Sequence, residues 1–249
     1  GRLLAVITRD DALILDANDD LAHFRDRFHI PNGNVIYLDG NSLGMPPKRT
    51  IERLREVYED DWATGLIRSW DHWVDYPQRV GDLLAPLIGA GPGEVVVHNT
   101  TTMNVYQLVH AAVALRPERR SIAISLDDFP TDRYVVDGIA NATGHAVVRG
   151  FDDLADVAVC VRSVIDYRTA ALVDVKAETA RIHAAGALVI WDLSHAVGAI
   201  EIDLRACGAQ LAVGCSYKFL NGGPGAPAWT YVARELHDVI EQPIWGWFA

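Results

Sequence analysis

Trp191-Asp192-Leu193-Ser194-His195 and, further along, Ser216-Tyr217-Lys218-Phe219-Leu220-Asn221-Gly222-Gly223-Pro224-Gly225 decide how this chain is read. The first segment closes an apolar run over 188–191, so it reads as the carboxyl end of a buried strand. The second follows another apolar run, 211–213, and finishes in a glycine-rich turn. Parallel sheets bind ligands beyond the carboxyl ends of their strands. Asp192 and Lys218 are therefore expected to meet at one sheet edge.

Outward from those segments the same pattern repeats. Continuous apolar runs stand at 95–97, 122–124, 157–161 and 229–232. Most read as strands buried on both faces, as in a largely parallel sheet. Helical segments fit between them at 105–114, 133–140 and 176–185, the last closed by Gly186 as a C-cap. A longer stripe, Ile51, Leu54, Val57, Tyr58 and Trp62, predicts a helix over 49–62. Strand-helix alternation of this kind predicts an α/β fold in three layers. Pro46-Pro47 marks a turn before the first long helix, and glycines over 89–93 mark one before the first strand.

Bulk properties narrow the function classes. With 249 residues, half of them apolar and 22% charged, the chain is long enough for a large core. The net charge of −11 argues against a nucleic-acid or anionic-membrane surface. Arg116, Arg119 and Arg120 form the one short basic group and read as a solvated turn. Three cysteines, with no Cys-x-x-Cys spacing, suit a reducing cytosol. Cys215 reads as a small buried thiol rather than a reactive one. The nine histidines show no metal spacing. The 3–7 run is too short for a signal peptide and no run reaches membrane-spanning length, so the expected location is the cytoplasm.

Lys218 and Asp192 together have the parts needed to hold pyridoxal phosphate: an amine for a Schiff base, and a carboxylate to keep the pyridine nitrogen protonated. Alone, Asp192 reads equally as a helix N-cap or a turn acid. Thr100-Thr101-Thr102-Met103-Asn104 follows a strand and opens a helix, which suits a phosphate or simple capping. Phe129-Pro130-Thr131-Asp132 also follows a strand; an aromatic there can stack on a ring, while Phe-Pro by itself signals a turn. Tyr217 is a candidate proton donor or phosphate contact, or a structural tyrosine. The aromatic-rich end, Ile244, Trp245, Trp247 and Phe248, is expected to bury itself against its own domain or a second subunit.

These segments carry a resemblance. With Tyr37-Leu38-Asp39-Gly40-Asn41-Ser42-Leu43-Gly44, Gly65-Leu66-Ile67-Arg68-Ser69-Trp70, Asp166-Tyr167-Arg168-Thr169 and Gly246-Trp247-Phe248, the chain resembles the kynureninases. These are fold-type-I pyridoxal-phosphate enzymes of the class-V aminotransferase group. The resemblance implies a mostly parallel, seven-stranded-type sheet and a division into 1–48, an N-terminal arm and substrate-side loop, and 49–249, the cofactor-binding large domain. The family continues into a small C-terminal domain, which carries an asparagine for the cofactor and an arginine for the substrate carboxylate. That domain lies beyond this chain's last residue.

Position by position, the resemblance implies that Thr101 and Thr102 hold the phosphate, Phe129 stacks on the ring and Asp132 hydrogen-bonds the cofactor. It puts Thr169 beside the cofactor, Asp192 on the ring nitrogen and His195 flanking it. Tyr217 touches the phosphate, Lys218 forms the Schiff base, and Trp247 reaches the phosphate of a partner subunit. The catalytic set is then Lys218, Asp192 and Tyr217, with no metal. One departure is Ala170, where the family usually has glycine. The activity implied is hydrolysis of the Cβ–Cγ bond of L-kynurenine or 3-hydroxykynurenine, by a homodimer with shared active sites. The alternatives on the same scaffold are an aminotransferase, a cysteine desulfurase (though no cysteine follows Cys215) and a truncated, inactive cofactor-binding protein.

Overall fold

Alternating side chains along short apolar strands build the core. The computed structural model describes residues 7–31 and 35–247. Its strands are β1 (Val95–Val97), β2 (Ser121–Ile124), β3 (Ala146–Arg149), β4 (Val157–Ser163), β5 (Leu188–Asp192), β6 (Leu211–Gly214) and β7 (Trp229–Val232). Its helices are α1 (Arg9–Ala17), α2 (Lys48–Glu56), α3 (Trp70–Trp73), α4 (Tyr76–Leu84), α5 (Thr101–Ala114), α6 (Pro130–Thr143) and α7 (Val175–Ala184). The strands form one seven-stranded sheet in the order β1-β7-β6-β5-β4-β2-β3. The pairs β2–β3, β2–β4, β4–β5 and β5–β6 are parallel, and β7 runs antiparallel to β6 and β1. The expected α/β fold with a mostly parallel sheet is present.

Successive strand residues point to opposite faces. Ile122, Ile124, Val159, Val161, Leu188 and Ile190 pack on one face with Val105, Leu108 and Val109 of α5 and Val136 and Ile139 of α6. Ala123, Cys160, Val189, Trp191 and Ala212 face the other way, toward Leu84 of α4 and Ile182 of α7. Helices cover both faces, which gives three layers. Each fully buried Val, Leu or Ile contributes roughly 1.5–3 kcal/mol.

Every apolar run read from the sequence becomes a strand. β3 was not among those runs, because it is an edge strand. It pairs only with β2, and its ends, Ala146 and Arg149, are exposed. The helices extend past their apolar cores to their caps. The Thr100 hydroxyl accepts from Met103 N at the start of α5, and Asp174 accepts from Ala177 N at 2.9 Å at the start of α7. Gly186 closes α7 with φ +82°, a conformation that favours glycine. The basic group at 116–120 corrects its expectation as a solvated turn. Arg119 donates to the carbonyls of Leu154, Val157 and Ala185, and Arg116 to that of Gly186. These bonds tie the basic group to the start of β4 and to the end of α7.

The chain divides into two compact units, Gly1–Leu38 with Met45–Ile67, and Asp39–Gly44 with Arg68–Ala249. Unlike a cut after residue 48, this division keeps α2 with the first unit and gives 39–44 to the sheet. In the first unit the helix expected over 49–62 is α-helical to Glu56 and π-helical over Val57–Gly65. The Thr64 hydroxyl donates to the Glu59 carbonyl, five residues back, at 2.8 Å, the spacing a π-turn creates. Its apolar stripe is open: Leu54, Tyr58 and Trp62 are all exposed. No helix among the described residues is long and apolar enough to cross a membrane.

Candidate active site

The carboxyl ends of β5 and β6 bring Asp192 and Lys218 to one pocket of about 220 Å³. Asp192 is the last residue of β5, and its Oδ1 accepts from Ser194 N at 2.8 Å. The Ser194 hydroxyl in turn accepts from Cys215 N at 3.2 Å, tying the turn after β5 to the one after β6. Beyond Cys215 the chain folds into a tight loop: Asn221 N donates to Lys218 O at 3.0 Å and Gly222 N to Ser216 O at 2.8 Å. Segment 39–44 backs this loop. Gly44 N donates to Tyr217 O at 2.8 Å, and a Cβ on Gly44 would collide with the Lys218 carbonyl oxygen.

Lys218 is buried, and its Nζ lies 2.7 Å from His195 Nε2. Burial and the Lys218 charge hold the His195 imidazole below its ordinary pKa, against the pull of Asp192. A neutral imidazole therefore offers Nε2 as acceptor to the Lys218 ammonium. The Phe129 ring centre is 5.4 Å from Nζ, and the ring is held edge-on by Tyr167 at 5.1 Å.

Asp132 is pushed far in the opposite direction from a paired carboxylate. Burial, then the Asp192 and Asp128 charges, raise its pKa well above the usual carboxylate range, and a hydrogen bond with Asp192 adds to this. Of the carboxyls at this site, Asp132 is the one whose protonated form burial and its acidic neighbours favour most strongly. Its Oδ2 is buried with no partner among the described residues, and the side chain lines the pocket. Burial also pushes the Tyr217 hydroxyl up to about 12 and raises the Cys215 thiol, so Cys215 is a buried thiol rather than a thiolate. Thr101 and Thr102 line the pocket at the N-terminus of α5, where free amides and the helix dipole favour an anion.

Thr101, Thr102, Phe129, Asp132, Asp192, His195, Tyr217 and Lys218 thus share one pocket. Thr169 and Trp247 do not line it. Thr169 is exposed; its N–H donates to Asp166 Oδ1 at 2.8 Å, and that loop reaches Phe129 through Tyr167 instead. Trp247 is 85% exposed and stacks on Trp70 at 5.5 Å, Ile244 and Trp245 are exposed too, and Phe248 lies outside the described residues. Ser194, Thr131 and Ala226 also line the pocket. The first two stood inside segments already singled out, whereas Ala226 lies one residue past the glycine-rich segment that ends at Gly225. No group of three or more metal-ligating side chains occurs among the described residues.

The kynureninase of Pseudomonas fluorescens is 44% identical over 97% of this chain, and that of Deinococcus radiodurans 45% identical over 94%. The chain resembles kynureninases along nearly its whole length. It spans 62% and 60% of those two relatives. No protein-family model matches the chain. Among solved structures, the cysteine desulfurase of Thermococcus onnurineus NA1 matches with a TM-score of 0.73 over 94% of this chain and 60% of its own, at 16% identity. The Escherichia coli cysteine desulfurase CsdA matches with a TM-score of 0.74 over 92% of this chain and 62% of its own, at 17% identity. At that identity the likeness to the desulfurases is one of fold.

Proposed function

We propose that this protein is a pyridoxal-phosphate-dependent hydrolase that cleaves the Cβ–Cγ bond of L-kynurenine or 3-hydroxykynurenine. The products are anthranilate, or 3-hydroxyanthranilate, and L-alanine, as in tryptophan catabolism. The reading rests above all on the convergence of a buried lysine, Lys218, and two buried carboxyls, Asp192 and Asp132, on a single pocket at the sheet edge. The identity to kynureninases supports the choice of reaction. The residues fit the cofactor: Asp132 Oδ2 is a buried polar atom awaiting a partner, and α5 presents its N-terminus and the Thr101 and Thr102 hydroxyls to the pocket.

Bound through Lys218, pyridoxal phosphate supplies an electron sink, provided its ring nitrogen stays protonated. Asp192 would hold that proton in place by its charge. Phe129 would cover one face of the ring, and Thr101, Thr102 and the α5 amides would hold the phosphate. Lys218 Nζ, oriented by its 2.7 Å contact with His195, would be the base that takes the substrate Cα proton. Hydrolysis consumes one water: its oxygen ends on the aromatic carboxylate, and the departing Cβ gains a proton. Tyr217, protonated because burial pushes it up to about 12, is the proposed donor of that proton.

Lys218 is the one Lys or Arg among the described residues lining the pocket, so the partner of the substrate carboxylate comes from elsewhere. The proposed assembly is a cytoplasmic homodimer with shared sites, in which Trp247 reaches the phosphate held by the partner subunit and Thr169 lies beside the cofactor. Two tests separate cofactor from reaction. The 249-residue chain with added pyridoxal phosphate should gain a visible absorption band that Lys218→Ala lacks; a chain that stays colourless overturns the cofactor reading. On a chain extended to the length of the relatives, L-kynurenine should yield alanine and anthranilate. Kynurenic acid instead would overturn hydrolysis in favour of transamination. The 249 residues alone are expected to bind cofactor without turnover.

A further inference from the structure

Between β2 and α6 the chain must turn from strand to helix while delivering both Phe129 and Asp132 to the pocket. Within the turn, Asp127 N donates to the Ser125 hydroxyl at 3.1 Å and Asp128 N to Ser125 O at 3.3 Å, but neither bond reaches a neighbouring strand. Phe129 occupies the N-cap position of α6, where its side chain makes no capping hydrogen bond, and Pro130 follows. The residue before it does have acceptors. Asp128 is buried at 8% exposure; its Oδ2 accepts from Ser125 N at 3.1 Å, and its Oδ1 from Ser163 N at 2.8 Å. Ser125 begins the loop after β2, whereas Ser163 is the last residue of the neighbouring β4. One carboxylate therefore closes the loop on itself and pins it to the next strand.

We infer that Asp128 is a positioning residue: it ties the loop carrying Phe129 and Asp132 to the end of β4 and so sets where those side chains meet the cofactor. The inference rests on the proposal that this pocket holds pyridoxal phosphate. Asp128 lies outside the pocket lining, so it acts through its neighbours. Its charge reaches Asp132 as well, adding to burial and Asp192 in keeping that carboxyl protonated. An amide at 128 would offer one acceptor in place of two, and would turn an N–H₂ group toward a backbone N–H.

Asp156 provides an internal control. It accepts from Arg120 N at 3.2 Å and from the Ser121 hydroxyl at 3.4 Å, a similar staple at the opposite end of β2, far from the pocket. The experiment titrates pyridoxal phosphate into the unaltered protein, Asp128→Asn and Asp156→Asn, recording the dissociation constant, the visible circular dichroism of the bound cofactor and the melting temperature without it. Both variants should melt earlier. Only Asp128→Asn should bind more weakly, by about tenfold, the loss of one charge-assisted hydrogen bond, and with an altered visible dichroism. If Asp128→Asn does not fold, Asp128→Ser is read in its place. A serine keeps an acceptor near Ser125 N but is too short for Ser163 N, so it should show the same dichroism change. Unchanged affinity and dichroism in whichever variant folds would overturn the positioning role while leaving the cofactor reading intact. Equal changes in Asp156→Asn would overturn it too, by showing a general loss of stability. No visible band in the unaltered protein would remove the cofactor reading and this inference with it.

Discussion

Glu94 and Asp132 are both buried acids, at 5% and 2% exposure, yet they stand in opposite electrostatic states. Burial pushes the Glu94 carboxyl up, but hydrogen bonds from Arg205, Gly91 N and Arg234 N together outweigh it and hold the group below its ordinary value. Those partners lie at 3.0, 2.7 and 3.1 Å, and they pin the segments flanking β1 and β7 to Arg205. Asp132 has burial and two like charges pushing the same way, and one oxygen has no partner among the described residues. A fully partnered buried acid serves the fold. An acid buried beside other acids, with an empty acceptor facing a pocket, is held ready for something that binds.

The sharpest way to break that contrast is at Asp192, whose charge helps keep Asp132 protonated. In the chain extended to the length of the relatives, Asp192→Ala should lower turnover by orders of magnitude, because the proposed ring-nitrogen partner is gone. The stability loss should stay modest, about 1–3 kcal/mol for a buried polar strand end. Steady-state kinetics beside thermal melts separate the two effects. Near-normal turnover would show that the carboxylate has been misassigned.

Next in size is a pair of amide substitutions, made in cofactor-free protein, that should move stability in opposite directions. Glu94→Gln removes a charge that accepts three hydrogen bonds and should cost about 1–3 kcal/mol at pH 7. Because the folded pKa of Glu94 is depressed, its contribution is complete above the unfolded-chain value. It is lost as pH falls through the folded value, so the deficit should shrink below about pH 4. Asp132 has a raised folded pKa, so it costs stability progressively as pH rises from its unfolded value through its folded one. Asp132→Asn should therefore be neutral or stabilising at pH 7, and without effect in acid. Denaturant titrations at several pH values check both. A destabilised Asp132→Asn at neutral pH would mean that Asp132 is a structural acid like Glu94.

Much of this was legible in the sequence, for physical reasons. A central strand buried on both faces is a continuous apolar run, so β2, β4, β5 and β6 stood out, whereas the edge strand β3 did not. The pocket residues clustered at strand ends, which parallel topology makes predictable from order alone. What stayed hidden was cross-strand. Nothing local marks Asp128 as the partner of Ser163 N, or Arg119 as the ligand of three carbonyls. Nor does sequence tell which residue of the 166–170 loop stands against Phe129; Tyr167 does, edge-on at 5.1 Å.

That loop holds the smallest expected effect. Ala170 stands where kynureninases usually have glycine, and its φ is +58°, in the left-handed region. The loop is otherwise well made: Asp166 Oδ1 accepts from Arg168 N at 2.9 Å and Thr169 N at 2.8 Å, and Ala170 N donates to Asp166 O at 2.9 Å. These bonds hold Ala170 in a conformation that costs a residue with a Cβ about 1–2 kcal/mol. Glycine would relieve that strain but adds freedom to the unfolded chain, an opposing term of about 0.4–1 kcal/mol. Ala170→Gly should therefore stabilise by about 0.5 kcal/mol, a rise in Tm of about 1–2 °C for a chain of this size. Since Ala170 lies outside the pocket lining, cofactor affinity should stay the same. A lowered Tm would show that the loop's hydrogen bonds, rather than the left-handed φ, dominate there. Weaker cofactor binding would tie the loop to the pocket more closely than its one ring contact implies.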